Sequence, residues 1–302
     1  MSTSPRKTAP AAVAAAAAAP SPTPLASSIE EDPFLASFGE ELVSLPEYKA
    51  PGTSKLDFDG LLAHRPLELH EDLKGGCGGQ LWPAGMVLSR YLLRKYRDSD
   101  GLVGKSMFVR PPVCLLLLLP LPGASAPVEL GAGGGLVGLA VALGCRLHHG
   151  EGSETVNEKP EYYATKTQTR PLYITDQLPM FDLMLQNTAL NGLEACVKPV
   201  IFDWGAAPPA EIPLPPAVIL AADCVYFEPA FPLLLQTLED LVGENTVCWF
   251  CFKKRRRADM HFVRDLKKRF CVERVEDDPD KEVYGRENIF LLKVTKKRAG
   301  AA

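Results

Sequence analysis

Short apolar segments alternate with helix-like segments along most of the chain from residue 128 onward. The strand-like segments are residues 128–130, 172–176, 200–205, 217–223, 246–252, 271–275 and 288–294. Apolar residues three and four apart predict helices between them, most clearly at Phe231, Leu234, Leu235 and Leu238. Strands that alternate with helices predict an α/β fold, here a Rossmann-like, seven-stranded, mostly parallel sheet with helices on both faces.

One low-complexity segment and two aperiodic segments interrupt this pattern. Residues 1–29 are rich in Ala, Pro and Ser and carry almost no charge, so we predict a disordered tail before one domain over residues 30–298. The segments near 106–126 and 146–170 are far longer than the roughly two to six residues that usually connect such elements. We interpret both as insertions that loop out of the domain, or as artefacts of gene prediction.

The residues after the first predicted strand indicate a cofactor site. Glu129 is followed by Gly131, Gly133 and Gly135, and then by a helix-like apolar run. Glycine lets the backbone turn sharply and approach a ligand, and the first amides of a helix point toward that ligand. A dinucleotide fingerprint would have its third glycine where Leu136 stands, and the Gly-Lys-Ser/Thr ending of a phosphate-binding loop is absent. The pattern therefore favours a different nucleotide-type cofactor.

The next predicted strands end in residues that suit a nucleoside. Asp176 ends the second, Trp204 the third, and Ala222 and Asp223 the fourth. Ligands of parallel sheets bind beyond these carboxyl ends. An acid there can accept hydrogen bonds from both ribose hydroxyls, and an indole ring can cover an adenine face. Without the segment 146–170, the acid lies about 20 residues after the first glycine, as dinucleotide folds would suggest.

The sequence resembles the seven-strand protein-lysine methyltransferases whose fourth strand ends in Asp-x-x-Tyr, here Asp223 to Tyr226. Further matching segments are residues 78–85, 129–135, 174–176, 203–205 and 252–256, and the resemblance covers most of residues 55–297. It implies the class I methyltransferase fold, S-adenosylmethionine (AdoMet) as cofactor and protein-lysine N-methyltransferase activity. Within the family, the resemblance is closest to a fungal enzyme that modifies translation elongation factor 1-alpha, which we therefore expect as the protein substrate.

The resemblance also implies roles for individual residues. The expected catalytic residues are Asp223 and Tyr226, and the expected AdoMet contacts are Trp82, Gly131, Ala132, Gly133, Asp176, Trp204 and Ala222. Asp223 would accept a hydrogen bond from the substrate ammonium, and Tyr226 would form a wall of the lysine channel. A carboxylate at this strand end suits a cationic lysine better than it suits a nucleobase or a glutamine amide.

Composition narrows the remaining possibilities. A net charge of −4 gives no general case for nucleic acid as a partner. Eight cysteines without paired spacing favour a reduced intracellular protein, and strand alternation would send Cys248 and Cys251 to opposite faces, away from a shared metal. The apolar run 113–119 is far shorter than the roughly 20 residues of a membrane span. We expect a cytoplasmic monomer, with a mitochondrial transit peptide in residues 1–29 as the alternative.

Two other functions stay open from the sequence. One is a methyltransferase that acts on nucleic acid or a small molecule, and the other is a methyltransferase-like module that binds a partner without catalysis. The basic run at residues 253–257 has three interpretations: a solvated loop, a surface for an acidic patch on the substrate, or a nuclear localisation signal or RNA contact.

Overall fold

The structure is a computed structural model that describes residues 50–62, 64–97, 126–145 and 171–297. The predicted tail at 1–29 and the predicted insertions near 106–126 and 146–170 lie outside the described residues, apart from Ala126. Within the described residues, no helix combines the length and the apolar character needed to cross a lipid bilayer.

A seven-stranded sheet forms the centre of the described chain. Its strands are β3 (Val128–Leu130), β4 (Leu172–Asp176), β5 (Val197–Ile201), β6 (Val218–Ala222), β7 (Val247–Lys253), β8 (Phe270–Arg274) and β9 (Ile289–Lys296). They lie side by side in the order β5-β4-β3-β6-β7-β9-β8. The first five pair in parallel, while β9 lies antiparallel between β7 and β8. The predicted seven-stranded, mostly parallel sheet is therefore confirmed.

Helices cover both faces of this sheet. They are α1 (Pro83–Tyr96), α2 (Leu136–Gly144), α3 (Leu178–Leu190), α4 (Phe231–Leu241), α5 (Arg257–Arg269) and α6 (Lys281–Arg286). Leu88 of α1 and Leu139 of α2 belong to the core on one face, whereas Leu238 of α4 and Phe262 of α5 belong to the core on the other. These apolar stripes explain why the segments fold as helices against the sheet.

The two cysteines of β7 occupy opposite cores. Cys251 lies in the core that contains α1, and Cys248 lies in the core that contains α4. Successive residues of a strand point to alternate faces, so residues three apart cannot share a side. The predicted separation of these two thiols is confirmed.

The predicted bounds of the third strand are wrong. The strand runs over Val197–Ile201, and a turn follows in which Ala206 N donates to Asp203 O at 3.1 Å. Pro199 lies inside the strand, although a proline has no N–H to donate to a neighbouring strand. Because β5 is at the edge of the sheet, the structure accommodates that proline. Trp204 therefore lies in the turn after the strand.

A two-stranded hairpin outside the main sheet was not predicted as such. Strand β1 (Gly52–Leu56) pairs antiparallel with β2 (Leu67–Glu71), of which only β2 shows clear alternation. The buried side chain of Asn187 on α3 attaches this hairpin, since its Oδ1 accepts His70 N at 2.8 Å. Its Nδ2 donates to His70 O at 3.1 Å and to Gly134 O at 2.9 Å. One amide thus joins the hairpin, α3 and the glycine-rich turn after β3.

We predict that Asn187→Ala lowers the free energy of unfolding by about 3 kcal/mol, because it leaves two partly buried backbone groups of His70 and the buried carbonyl of Gly134 without the Asn187 amide. Urea unfolding followed by circular dichroism measures the change. Gln236→Ala, which shortens an exposed amide on α4, is the control and should change stability by less than about 0.5 kcal/mol. Equal effects of the two variants would contradict the proposed linking role.

Candidate active site

A cavity of about 620 Å³ lies at the carboxyl ends of β3, β4 and β6. Its volume is within the range of roughly 300–1,000 Å³ that small-molecule sites occupy. All nine predicted site residues line it: Trp82, Gly131, Ala132, Gly133, Asp176, Trp204, Ala222, Asp223 and Tyr226. The structure thus brings the whole predicted set together, while the role of each residue stays a prediction.

The turn after β3 forms one wall of the cavity. Gly131, Gly133 and Gly135 have φ values of +62°, +55° and +90°, a region that L side chains rarely adopt. A Cβ atom on Gly131 would lie 2.9 Å from a ring carbon of Trp204. Glycine at this position therefore allows the indole to lie directly against the turn.

A second glycine-rich segment packs on the first. Two short 3₁₀ turns, Leu73–Gly75 and Cys77–Gly79, form it. A Cβ atom on Gly133 would approach the carbonyl oxygen of Gly78 to 2.3 Å, so the two backbones touch. Trp82 follows the segment, and its Nε1 donates to Cys77 O at 2.8 Å. The cluster of glycines before a Trp-Pro pair was the available signal for this wall.

Asp176 faces the cavity with part of its hydrogen-bonding capacity already used. Its Oδ2 accepts Gly133 N and its Oδ1 accepts Gln177 N, each at 2.7 Å. Burial raises the pKa of this carboxyl group, and the two amide bonds oppose that effect. A carboxylate has about four acceptor positions, so about two remain for other donors. That number matches the two hydroxyls of a ribose.

Glu129 is the most deeply buried acid of the cavity wall, with 2% of its surface exposed. Its Oε2 accepts Gly138 N, an amide near the beginning of α2, at 2.7 Å. Burial raises the pKa of Glu129 to about 8, although hydrogen bonds from Gly138 and Val137 favour the ionised form. The protonated acid therefore predominates at neutral pH.

The Asp223 carboxylate connects three segments of the chain. Its Oδ2 accepts Ala84 N from the beginning of α1 at 3.1 Å, and its Oδ1 accepts Lys253 N from the end of β7 at 3.1 Å. The same Oδ1 lies 3.0 Å from Nη1 of Arg255. The residue is 7% exposed and has a φ of +52°. With three donors bound, about one of its four acceptor positions remains.

Tyr226 stands at the mouth of the cavity and is 49% exposed. Burial of the phenol, together with nearby Cys77 and Asp176, raises the pKa of Tyr226 to about 12. The hydroxyl therefore stays protonated at physiological pH. A guanidinium nitrogen of Arg256 donates to the Tyr226 carbonyl and fixes the backbone at this position.

Sequence comparison identifies the family to which this site belongs. A family model described as lysine methyltransferase matches residues 61–269. The chain belongs to the lysine methyltransferase family.

Its relatives include protein-lysine N-methyltransferase EFM6 of Saccharomyces cerevisiae, 31% identical over 86% of this chain and 97% of that protein. They also include protein N-lysine methyltransferase METTL21A of Danio rerio, 29% identical over 80% and 93% of the two chains. EEF1A lysine methyltransferase 3 of Xenopus tropicalis is 30% identical over 52% of this chain and 60% of that protein.

This lysine methyltransferase is a protein-lysine N-methyltransferase that depends on AdoMet, as its sequence predicted. The cavity fits that cofactor in its chemistry. Glycines of both turns line the cavity with bare backbone, and Trp204 lines it with an aromatic side chain. The free acceptor positions of Asp176 suit hydroxyl donors, and the acceptor position that remains on Asp223 suits a cationic N–H donor.

We predict that Glu129→Gln reduces the pH dependence of stability. The folded-state pKa of Glu129, about 8, exceeds its ordinary value of 4.5, so the folded state holds the proton more tightly. The free energy of unfolding must therefore fall as pH rises from about 4.5 to about 8. Glutamine does not titrate and removes this component of the slope.

Urea unfolding at several pH values between 4.5 and 9 measures that slope. Glu194→Gln, at an exposed position, provides the matched control and should retain the wild-type slope. An unchanged slope in Glu129→Gln would show that the Glu129 proton is bound equally in the folded and unfolded states.

Proposed function

We propose that this enzyme methylates the side-chain amine of a lysine in translation elongation factor 1-alpha. Support comes from the Asp-x-x-Tyr resemblance and from relatives whose names specify EEF1A as the methylated protein. The observation that carries the site assignment is the single cavity lined by all nine predicted residues at neighbouring strand ends. A cytoplasmic location fits this substrate, since translation elongation takes place there.

Five of the residues proposed to hold AdoMet follow or end β3, β4 and β5, Ala222 ends β6, and Trp82 precedes α1. AdoMet would lie against the glycine turn, Ala132 and Ala222. Trp204 would stack on its adenine, and Asp176 would accept hydrogen bonds from its ribose hydroxyls. Trp82 would cover the opposite side. When bound, AdoMet supplies a methyl group activated by attachment to a cationic sulfur.

The substrate lysine must reach the cavity as a neutral amine, although its ordinary pKa is about 10.4. Removal from water lowers the pKa of an amine, as does a nearby positive charge. The remaining acceptor position of Asp223 would receive an N–H of the amine and direct its lone pair. Holding that lone pair in line with the methyl group is the main source of rate enhancement in such a reaction.

Tyr226 would act as a neutral wall of the lysine channel. Because the pKa of its hydroxyl is about 12, the phenol is a poor proton acceptor at neutral pH. Its ring, half-exposed at the cavity mouth, offers an aromatic surface to the lysine side chain. The proton lost by the ammonium would then leave to solvent rather than to this side chain.

We predict that one lysine of elongation factor 1-alpha carries fewer methyl groups in cells that lack this gene. Mass spectrometry of the purified factor from cells with and without the gene measures the difference. Re-expression of the wild-type enzyme should restore the modification. An unchanged methylation pattern would exclude this substrate, and labelling of a lysate with tritiated AdoMet before RNase or protease treatment would show which polymer is modified.

We predict that Trp204→Ala raises the dissociation constant of AdoMet about tenfold or more, because stacking on an aromatic side chain contributes about 1–3 kcal/mol per base. Isothermal titration calorimetry measures the constant. Trp204→Phe keeps a smaller ring and should give an intermediate value. Trp249→Phe, in the core beside Tyr91, is the control for loss of an indole outside the cavity. Unchanged affinity in Trp204→Ala would count against adenine stacking.

A further inference from the structure

The Arg255 side chain is held between two predicted site residues. Its guanidinium carbon lies 5.0 Å from the centre of the Trp82 ring, within range of a cation–π interaction. Its Nη1 lies 3.0 Å from Asp223 Oδ1 and 3.3 Å from the carbonyl oxygen of Lys253. The backbone N of Arg255 donates to the buried Asp259 at 2.7 Å. Backbone and side chain are therefore both fixed.

Two other cations of the basic run, Lys254 and Arg257, lack such contacts. The side chains of Lys254 and Arg257 are exposed and have no ion pair within the part of the chain that the structure describes. All three residues carry one positive charge. Only Arg255 lines the cavity. Its difference from the two neighbours is thus one of position, not of charge.

We propose that Arg255 is a positioning residue for methyl transfer. Its guanidinium connects Trp82, which precedes α1, with Asp223, which follows β6, and so fixes two walls of the cavity relative to each other. By occupying Oδ1 of Asp223 together with Lys253 N, it also leaves the remaining acceptor position on a defined side of the carboxylate. This inference rests on the roles proposed above for Trp82 and Asp223.

Arginine suits this place for two physical reasons. The planar guanidinium can lie on an aromatic face while its edge donates to a carboxylate, whereas a lysine ammonium is a compact point charge. The Asp223 side chain is only 4% exposed, and a carboxylate so deeply buried needs a compensating charge. Loss of the guanidinium would therefore remove one contact of the indole and one of the three donors to the carboxylate.

The test compares Arg255→Met with Arg257→Met. Both remove one positive charge from the same run, and methionine keeps a long apolar stem. We expect Arg255→Met to lower kcat about 100-fold, as small misplacements of reacting groups can do, with a smaller change in KM for the protein substrate. Arg257→Met should keep the wild-type kcat. Equal losses in the two variants would overturn the proposal in favour of a general effect of charge on substrate docking.

Arg255→Lys is included because Arg255→Met could lose activity simply by failing to fold. It keeps the ion pair with Asp223 but cannot cover the indole, so we expect a folded protein with kcat about tenfold lower. A wild-type kcat in this variant would overturn the proposed positioning role of Arg255. Rescue of kcat in Arg255→Lys relative to Arg255→Met, short of the wild-type value, would support it.

Two readouts do not depend on the identity of the protein substrate. Calorimetry should show weaker AdoMet binding in Arg255→Met than in Arg257→Met, because Trp82 lines the same cavity. The melting temperatures of Asp223→Asn, Arg255→Met and the double variant should be non-additive, with the double variant losing less than the sum. Unchanged AdoMet affinity in Arg255→Met, together with additive shifts of the melting temperature in the double variant, would refute the positioning role of Arg255. This result would hold even if another protein proved to be the substrate. If elongation factor 1-alpha is not methylated, kcat is measured on the lysate protein that accepts the tritium label.

Discussion

The cavity depends on a contact between two stretches of bare backbone. Gly133, in the turn after β3, lies so close to the Gly78 carbonyl that a Cβ atom would approach it to 2.3 Å. Any side chain at Gly133 would push the two loops apart, since the obstructing atom belongs to the backbone. Asn187 then holds the neighbouring residue Gly134 to α3 and to the hairpin. These contacts join the main sheet, the β1–β2 hairpin and the second glycine-rich segment into one binding surface, although neither the glycines nor Asn187 has a proposed role in methyl transfer.

The three acids at this site, Glu129, Asp176 and Asp223, differ in what offsets the cost of burying a carboxylate. Glu129 takes up a proton, because its pKa of about 8 lies above neutral pH. Asp176 stays near the cavity surface and accepts two backbone amides. Asp223 combines two amides with a guanidinium. Among these three acids, Asp223 alone has an arginine partner within the described residues, with Arg255 Nη1 3.0 Å from its Oδ1.

The sequence predicted the sheet and the strand-end residues because both follow from local patterns. Alternation of apolar segments located β4, β6 and β7 within one or two residues, and residues such as Asp176 and Asp223 had to meet at one edge once the strands were parallel. The hairpin strand β1 escaped prediction because its residues are mostly exposed and show no apolar period. The contact of Gly78 with Gly133, and the link from Asn187 to Gly134, join segments far apart in sequence, so no local pattern could reveal them.

The five cations at residues 253–257 form one basic run in the sequence but have different contacts in the structure. Strand β7 ends at Lys253 and α5 begins at Arg257, so the intervening residues turn and their side chains diverge. Arg255 compensates Asp223, and Arg256 contacts Asp259, whose carboxylate also accepts the backbone amides of Arg255 and Arg256 just before α5. Buried carboxylates of this kind need partners, which accounts for two of the five cations. Lys254 and Arg257 are exposed and have no ion pair within the described residues, and Lys253 lies 4.0 Å from Glu287, so compensation of a buried acid does not account for these three cations.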